Sequence, residues 1–198
     1  FGCVVNGRLA VVAAGEDEAG GGEKQRERSA QPMAVENGGH GKLLAESGID
    51  LKILTGDNEL VTRRVASLIG LEVRGVLIGR EIDQMDREAL SRVVEEVTLF
   101  CRLTPVQKNR VQNALRKNGH VVGFMGDGIN DAPAIREADV GISVRNAVDI
   151  ARESADIILL ENDLRVLHDG VREGRKTFAN TLKYILMGTS SNFGNMFS

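Results

Sequence analysis

Three short polar clusters contain the residues of this sequence best suited to chemistry. The first is Thr55-Gly56-Asp57, where an apolar run stops. One hydroxyl, small residues and nearby backbone N–H groups at a strand-to-helix turn suit a phosphoryl oxygen. Taken alone, the same tripeptide reads first as a plain capped turn. The second is Lys108, four residues after Thr104. A cation in the first turn of a helix opposes the helix dipole at a cost of roughly 0.3–1 kcal/mol. A buried anion beside it would explain the choice, and a solvated surface lysine is the simpler alternative. The third cluster runs from Gly126 through Asp127, Gly128, Ile129 and Asn130 to Asp131. Two hard oxygen donors at one strand tip, among glycines that admit a close ligand, suit Mg²⁺, which takes one or two carboxylates plus phosphate and water. The bland reading is an Asp-Gly turn with Asp131 capping the next helix. Capping needs one aspartate, and this cluster holds two and an asparagine.

Little else competes. His40, His120 and His168 are scattered, and the two cysteines, Cys3 and Cys101, make neither a metal cage nor a disulfide framework. Cys101 lies in an apolar run and reads as a small core residue. With 25 basic and 28 acidic side chains the net charge is −3, which shows no bias toward nucleic acid or acidic lipid. There is no Trp, one Tyr, and no aromatic residue between Phe1 and Phe100, so stacking on single-stranded nucleic acid has almost no side chains to use. Nucleic acid is therefore excluded as a partner.

The elements that must position the three clusters are legible from Leu43 onward. A short strand at 51–54 stops at Thr55. Asp57 or Asn58 then caps a helix whose apolar stripe is Val61, Val65, Leu68 and Ile69, with Gly70 as its stop. A strand at 76–78 and a helix with Leu90, Val93, Val94 and Val97 on one face lead to a strand at 98–101. Thr104, Pro105 and Gln107 supply a capping hydroxyl, a proline at the first helical position and a glutamine at the third, so a helix starts there and runs to about Asn118. Near-continuous apolar runs at 121–125, 140–144 and 156–160 complete the pattern. Such strands alternating with helices predict an α/β fold, a doubly wound parallel sheet covered on both faces.

The two ends differ from this middle. The first 48 residues hold 10 of the 23 glycines. A strand fits around 8–13, but 15–42 is polar and charged without period and cannot bury enough apolar surface to offset its ordering entropy. Residues 1–42 are accordingly expected to be a flexible leader, 43–163 the α/β domain, and 164–198 a long helix leading into a membrane helix. After Leu164 the pattern stays helical with five basic residues up to Lys183, and none of the next 15 residues is charged. Fifteen is short of the ~20 needed to cross a bilayer, so the tail reads as a membrane helix cut short.

In this order and spacing, Thr-Gly-Asp-Asn, Thr-Pro-x-x-Lys and Gly-Asp-Gly-Ile-Asn-Asp-Ala-Pro resemble the phosphorylation domain of P-type ATPases, within the haloacid-dehalogenase-like superfamily. The resemblance covers about Leu43 to Ser198. The stretches beginning at Ala147, Gly174 and Ser190 look most like the bacterial magnesium-transporting branch. The resemblance implies that Thr55, Gly56, Lys108 and Asn130 surround a phosphoryl group carried on an aspartate, with Asp57 in the same catalytic set. It implies that Asp127 ligates Mg²⁺ and that Asp131 orients Lys108 and a metal-bound water. It places Asn192 and Asn195 where related pumps hold the transported ion. It also implies ATP as substrate, Mg²⁺ as cofactor and cargo, and a bacterial plasma-membrane pump with this domain on the cytoplasmic side.

One departure outweighs the matches. The family's nucleophile is the aspartate of Asp-Lys-Thr-Gly-Thr, and none of the twelve aspartates here is followed by Lys-Thr. The nearest imitation, Asp17, is followed by Glu18 and Ala19. The nucleotide-binding insertion is missing too. The chain thus resembles a C-terminal piece of a pump, expected to be inactive without the rest. A soluble phosphatase of the same superfamily and a non-enzymatic binding module are the alternatives. The first also needs the missing nucleophile.

Overall fold

A computed structural model of the chain describes the backbone of residues 9–14, 39–161 and 163–196, and the side chains of 39–161 and 163–190. Seven parallel strands form one sheet: β1 (Leu9–Ala14), β2 (Ile49–Leu54), β3 (Val76–Ile78), β4 (Leu99–Cys101), β5 (Val121–Met125), β6 (Val140–Val144) and β7 (Ile157–Leu159). Their spatial order is β3-β4-β2-β1-β5-β6-β7. The helices are α1 (His40–Glu46), α2 (Glu59–Leu68), α3 (Gly79–Gln84), α4 (Arg87–Glu96), α5 (Pro105–Lys117), α6 (Ala132–Glu137), α7 (Asp149–Glu153) and α8 (Leu164–Met196). The expected doubly wound α/β class is what forms. The inner strands are apolar on both faces because helices cover both, and Leu51, Ile53, Leu54, Leu99, Phe100, Val122, Phe124 and Ile142 are all buried.

Strand order fixes where a ligand can sit. After β1 the chain moves to β2 on one side, whereas β5 is followed by β6 on the other. Connections that leave in opposite directions open a crevice outside the carboxyl ends of β1 and β5. Register places Ala14 beside Leu54 and Ala13 beside Met125, so the tips of β2, β1 and β5 end level with one another.

Several expectations need correction. The strand expected around 8–13 forms as β1, but it is no part of a leader: it pairs with β2 and β5 in the middle of the sheet. Six apolar residues in a row satisfy their backbone groups on both edges there. The part of the leader at 15–38 lies outside the described residues. Helix α1 begins at His40, three residues before the first expected signal. On α2 the buried residues are Thr62 and Ala66, while Val61 and Val65 are 47% and 38% exposed. The Thr62 hydroxyl donates to the Asn58 carbonyl at 2.9 Å, which lets this polar side chain face inward. Asn58 is the N-cap, accepting from Val61 N at 3.1 Å, and Gly70 ends the turn with φ at +67°. Strand β7 lies at the sheet edge, so Ile157 and Ile158 are 41% and 43% exposed. No described helix is long and apolar enough to cross a membrane.

Candidate functional site

Thr55 follows β2 directly, and its backbone joins the neighbouring strand connection. Thr55 N donates to Phe100 O at 2.9 Å, and Leu103 N donates to Thr55 O at 3.0 Å. Arg102 N donates to Asp57 O at 2.9 Å. Arg102 adopts φ of +53°, a left-handed conformation unusual for a residue with a Cβ. The β4–α5 connection is thereby bent onto the Thr55 turn. Within that turn the Thr55 hydroxyl donates to Asp57 Oδ2 at 3.1 Å and accepts from Asp57 N at 3.0 Å. Thr55 is buried and Gly56 and Asp57 are half-buried, so the turn is held closed by its own side chains.

The same connection starts α5. Thr104 accepts from Gln107 N at 3.3 Å, and Gln107 Oε1 accepts from Thr104 N at 2.8 Å, the expected capping box. Gln107 Nε2 also donates to Gly79 O at 3.1 Å and to Asp83 Oδ2 at 2.8 Å, which fastens α5 to α3. A Cβ on Gly79 would lie 2.5 Å from both Arg102 O and Gln107 Oε1, so only glycine allows this approach. The next residue, Lys108, has no exposed surface. Its Nζ donates to Asp131 Oδ1 at 3.0 Å, and Asp131 is itself buried. The solvated-lysine alternative is excluded by this burial. The Asp131 capping alternative fails as well, since its side chain makes no cap bond to α6.

Asp131 closes a single helical turn, Ile129–Asp131, that follows β5. Gly126 is required beneath it, because a Cβ there would meet the Asp131 Cβ at 2.6 Å. Asp127 is half-buried at the strand tip, and Asn130 is exposed on the turn. Two residues that sequence reasoning missed hold Asp127 in place. Ser143 Oγ donates to Gly126 O at 3.1 Å, and Val148 N donates to Asp127 O at 3.1 Å. Ser143 carried a visible signal, a hydroxyl inside an otherwise apolar strand. Val148 acts through its backbone and carried none.

The structure therefore gathers Thr55, Gly56, Asp57, Lys108, Asp127, Asn130 and Asp131 at the carboxyl ends of the strands, tied by the Leu103–Thr55 and Lys108–Asp131 bonds. Asn192 and Asn195 belong to the α8 backbone far along the chain, and their side chains lie outside the described residues. Among the described residues no group of three or more His, Cys, Asp or Glu side chains forms a metal cluster. Of the shifted ionisable groups, Lys52 and Glu95 lie near the start of β4, whereas Cys101 ends β4 beside the Thr55–Asp57 turn. Burial pulls the Lys52 ammonium below the ordinary lysine value, against the pull of Asp50 at 3.2 Å. Burial raises the Cys101 thiol. At Glu95 burial pushes upward, but hydrogen bonds from Asn118 and His120 prevail and hold the carboxyl below its usual range.

The chain is similar to several known proteins. Residues 42–139 match the family described as haloacid dehalogenase-like hydrolase. The chain is 60% identical over 157 residues to magnesium-transporting ATPase, P-type 1, of Escherichia coli K12, covering 79% of this chain and 18% of that protein. The protein of the same description from Salmonella typhimurium LT2 is also 60% identical over 157 residues, with 79% and 17% covered. Among solved structures, a zinc-transporting PIB-type ATPase in its E2.Pi state aligns with a TM-score of 0.55 at 29% identity, covering 72% of this chain and 19% of that one. The chain spans about a fifth of the length of the curated relatives it matches.

Proposed function

We propose that this chain, whose residues 42–139 form a haloacid dehalogenase-like hydrolase domain akin to that of P-type ATPases, serves as the phosphorylation-site part of an ATP-driven magnesium pump. The observation that carries the reading is the buried Lys108–Asp131 pair, set at the tip of β5 beside Asp127. An ion pair is expensive to bury, and at a strand tip outside the switch point it is placed to meet an anion. In this role Lys108 neutralises charge on a phosphoryl group held by the Thr55 hydroxyl, the Gly56 backbone and Asn130. The Asp57 N–H fixes the Thr55 oxygen, and the single hydroxyl proton, given to Asp57 Oδ2 in this structure, would turn to the phosphoryl oxygen when that group is present. Asp131 fixes Lys108, so the ammonium is in position before the charge develops.

Mg²⁺ fits the donor set: Asp127 and the second oxygen of Asp131 are hard carboxylate donors above the close-packed Gly126, and phosphate and water can complete the coordination. Bound there, Mg²⁺ would neutralise phosphoryl charge. Three exposed apolar residues, Leu60, Val106 and Ile129, rim the strand tips at 80%, 71% and 62% exposure. A neighbouring domain would bury them. The uncharged end of α8 would enter the lipid, Asn192 and Asn195 are the candidates for the transported cation, and the α/β domain would face the cytoplasm.

The acyl-phosphate nucleophile must come from elsewhere, because no Asp-Lys-Thr-Gly-Thr occurs in the sequence. Incubation with radiolabelled ATP and Mg²⁺ should leave this chain unlabelled. A hydroxylamine-sensitive label should form on a separate polypeptide bearing the aspartate motif and nucleotide-binding domain, and only when this chain is added. Label on this chain, or labelling of the other polypeptide that ignores it, refutes the proposal.

A further inference from the structure

Helix α8 leaves the α/β core alongside the short helix α1. Leu164 and Leu167 bury its first turns, and Val171 is the last residue packed on the core. Past Arg175 the described side chains are exposed, apart from half-buried Phe178. Between Arg165 and Arg175 α1 runs beside α8 and is fastened to it at both ends. At the start, Arg165 Nε donates to His40 Nε2 at 2.9 Å. An Arg N–H can only donate, so the ring proton sits on Nδ1, which faces Asp163 Oδ1 at 3.7 Å. Asp163 also caps α8, accepting from Arg165 N at 2.8 Å. Ten residues further on, about 15 Å along a helix, Arg175 Nη1 donates to Ser47 O at the end of α1 at 2.6 Å.

The other side of α1 is equally constrained. Gly41 N donates to Ile69 O at 3.0 Å, and a Cβ on Gly41 would stand 3.1 Å from Leu71 Cα. Leu44 is fully buried, and Gly48, at φ of +74°, turns the chain directly into β2. Helix α1 therefore cannot slide without disturbing the end of α2 or the start of β2.

From this arrangement we infer that α1 is a splint for α8. The His40–Arg165–Asp163 contact and the Arg175–Ser47 bond together set the direction in which α8 projects, and releasing them frees the helix from about Val171 onward. The inference is independent of the chemistry at the strand tips. It is tested on the full chain in mild detergent by pulsed electron paramagnetic resonance between spin labels on Glu88→Cys, in α4, and Met187→Cys. Cys3→Ser removes one competing thiol, and Cys101 is fully buried. The parent should give one narrow distance distribution. Arg175→Ala should broaden it about twofold, and Arg175→Lys, which keeps a donor, should restore it. His40→Lys, which sets a cation against Arg165, should shift its centre. If His40→Lys does not fold, the exposed Arg175 variants decide alone. An unchanged distribution in Arg175→Ala, or broadening that Arg175→Lys leaves in place, overturns the inference.

Discussion

Replacing Asp131 with asparagine tests the centre of the site, because the side chain keeps its shape and its accepting oxygen and loses only its charge. Lys108 is fully buried and its ammonium lies 3.0 Å from Asp131 Oδ1. At an effective dielectric of ~20, Coulomb's law gives about 5 kcal/mol at such a separation. Breaking a buried pair by removing one partner costs ~3–5 kcal/mol, since a charge stays behind in a poor solvent. The two figures agree in order. For a chain of this size 1 kcal/mol moves the melting temperature by about 2–4 °C, so Asp131→Asn should melt roughly 6–20 °C lower, followed by far-UV circular dichroism. Lys108→Met combined with Asp131→Leu should recover most of that loss, because an apolar pair of similar size has no charge to desolvate. A shift below about 2 °C in Asp131→Asn, or a double variant no better than the single one, would refute the claim that the pair is a buried charge couple.

Gly126→Ala and Gly79→Ala should each cost about 1–3 kcal/mol in urea unfolding, because the added methyl groups meet atoms at 2.6 and 2.5 Å; Gly170→Ala, with nothing within 4 Å, should not destabilise. Lys52 titrates below its ordinary value when folded, so between the lowered folded pKa and the unfolded ~10.4 the unfolded chain binds more protons and stability rises with pH. Lys52→Met should lose that rise, as read from urea midpoints across alkaline pH. The Cys101 thiol is raised, which has the opposite sign: above ~8.5 the unfolded chain gives up its proton first and stability falls. In a Cys3→Ser background Cys101 should accordingly resist thiol reagents until the chain unfolds. Ala14 ends β1 level with Leu54, between the Thr55 and Asp127 tips. Ala14→Asp should therefore take a hydroxylamine-sensitive phosphoryl group from acetyl phosphate with Mg²⁺, and the parent chain should take none.

Much of the fold was legible because the sheet is buried on both faces. Runs such as 121–125 and 140–144 have no polar residue to hide except Ser143, and they stand out without periodicity. What was misread follows from residues that satisfy themselves locally. Thr62 takes a core position on α2 because its hydroxyl bonds back to Asn58, which displaced the apparent stripe of Val61 and Val65. Helices α3 and α7 are only six and five residues long, too short to show an amphipathic period, and they form because the sheet and neighbouring helices hold them. Helix α1 begins with His40 and Gly41 against the Ile69–Leu71 turn, a tertiary contact that composition does not announce.

The site was legible for a different reason. Lys108 sits where the dipole of α5 disfavours a cation, in a helix whose N-terminus is otherwise well made by Thr104, Pro105 and Gln107. A sequence that builds a good helix start and then places a charge against it must gain that energy back elsewhere, and Asp131 is where it does so. The same argument explains what could not be read. Lys108 and Asp131 are 23 residues apart, and their meeting depends on β4 and β5 standing on opposite sides of the β2–β1 pair. β1 comes from the stretch whose composition predicted a leader. A strand was legible around 8–13, but its place at the centre of the sheet was not, and the geometry of the site depends on it.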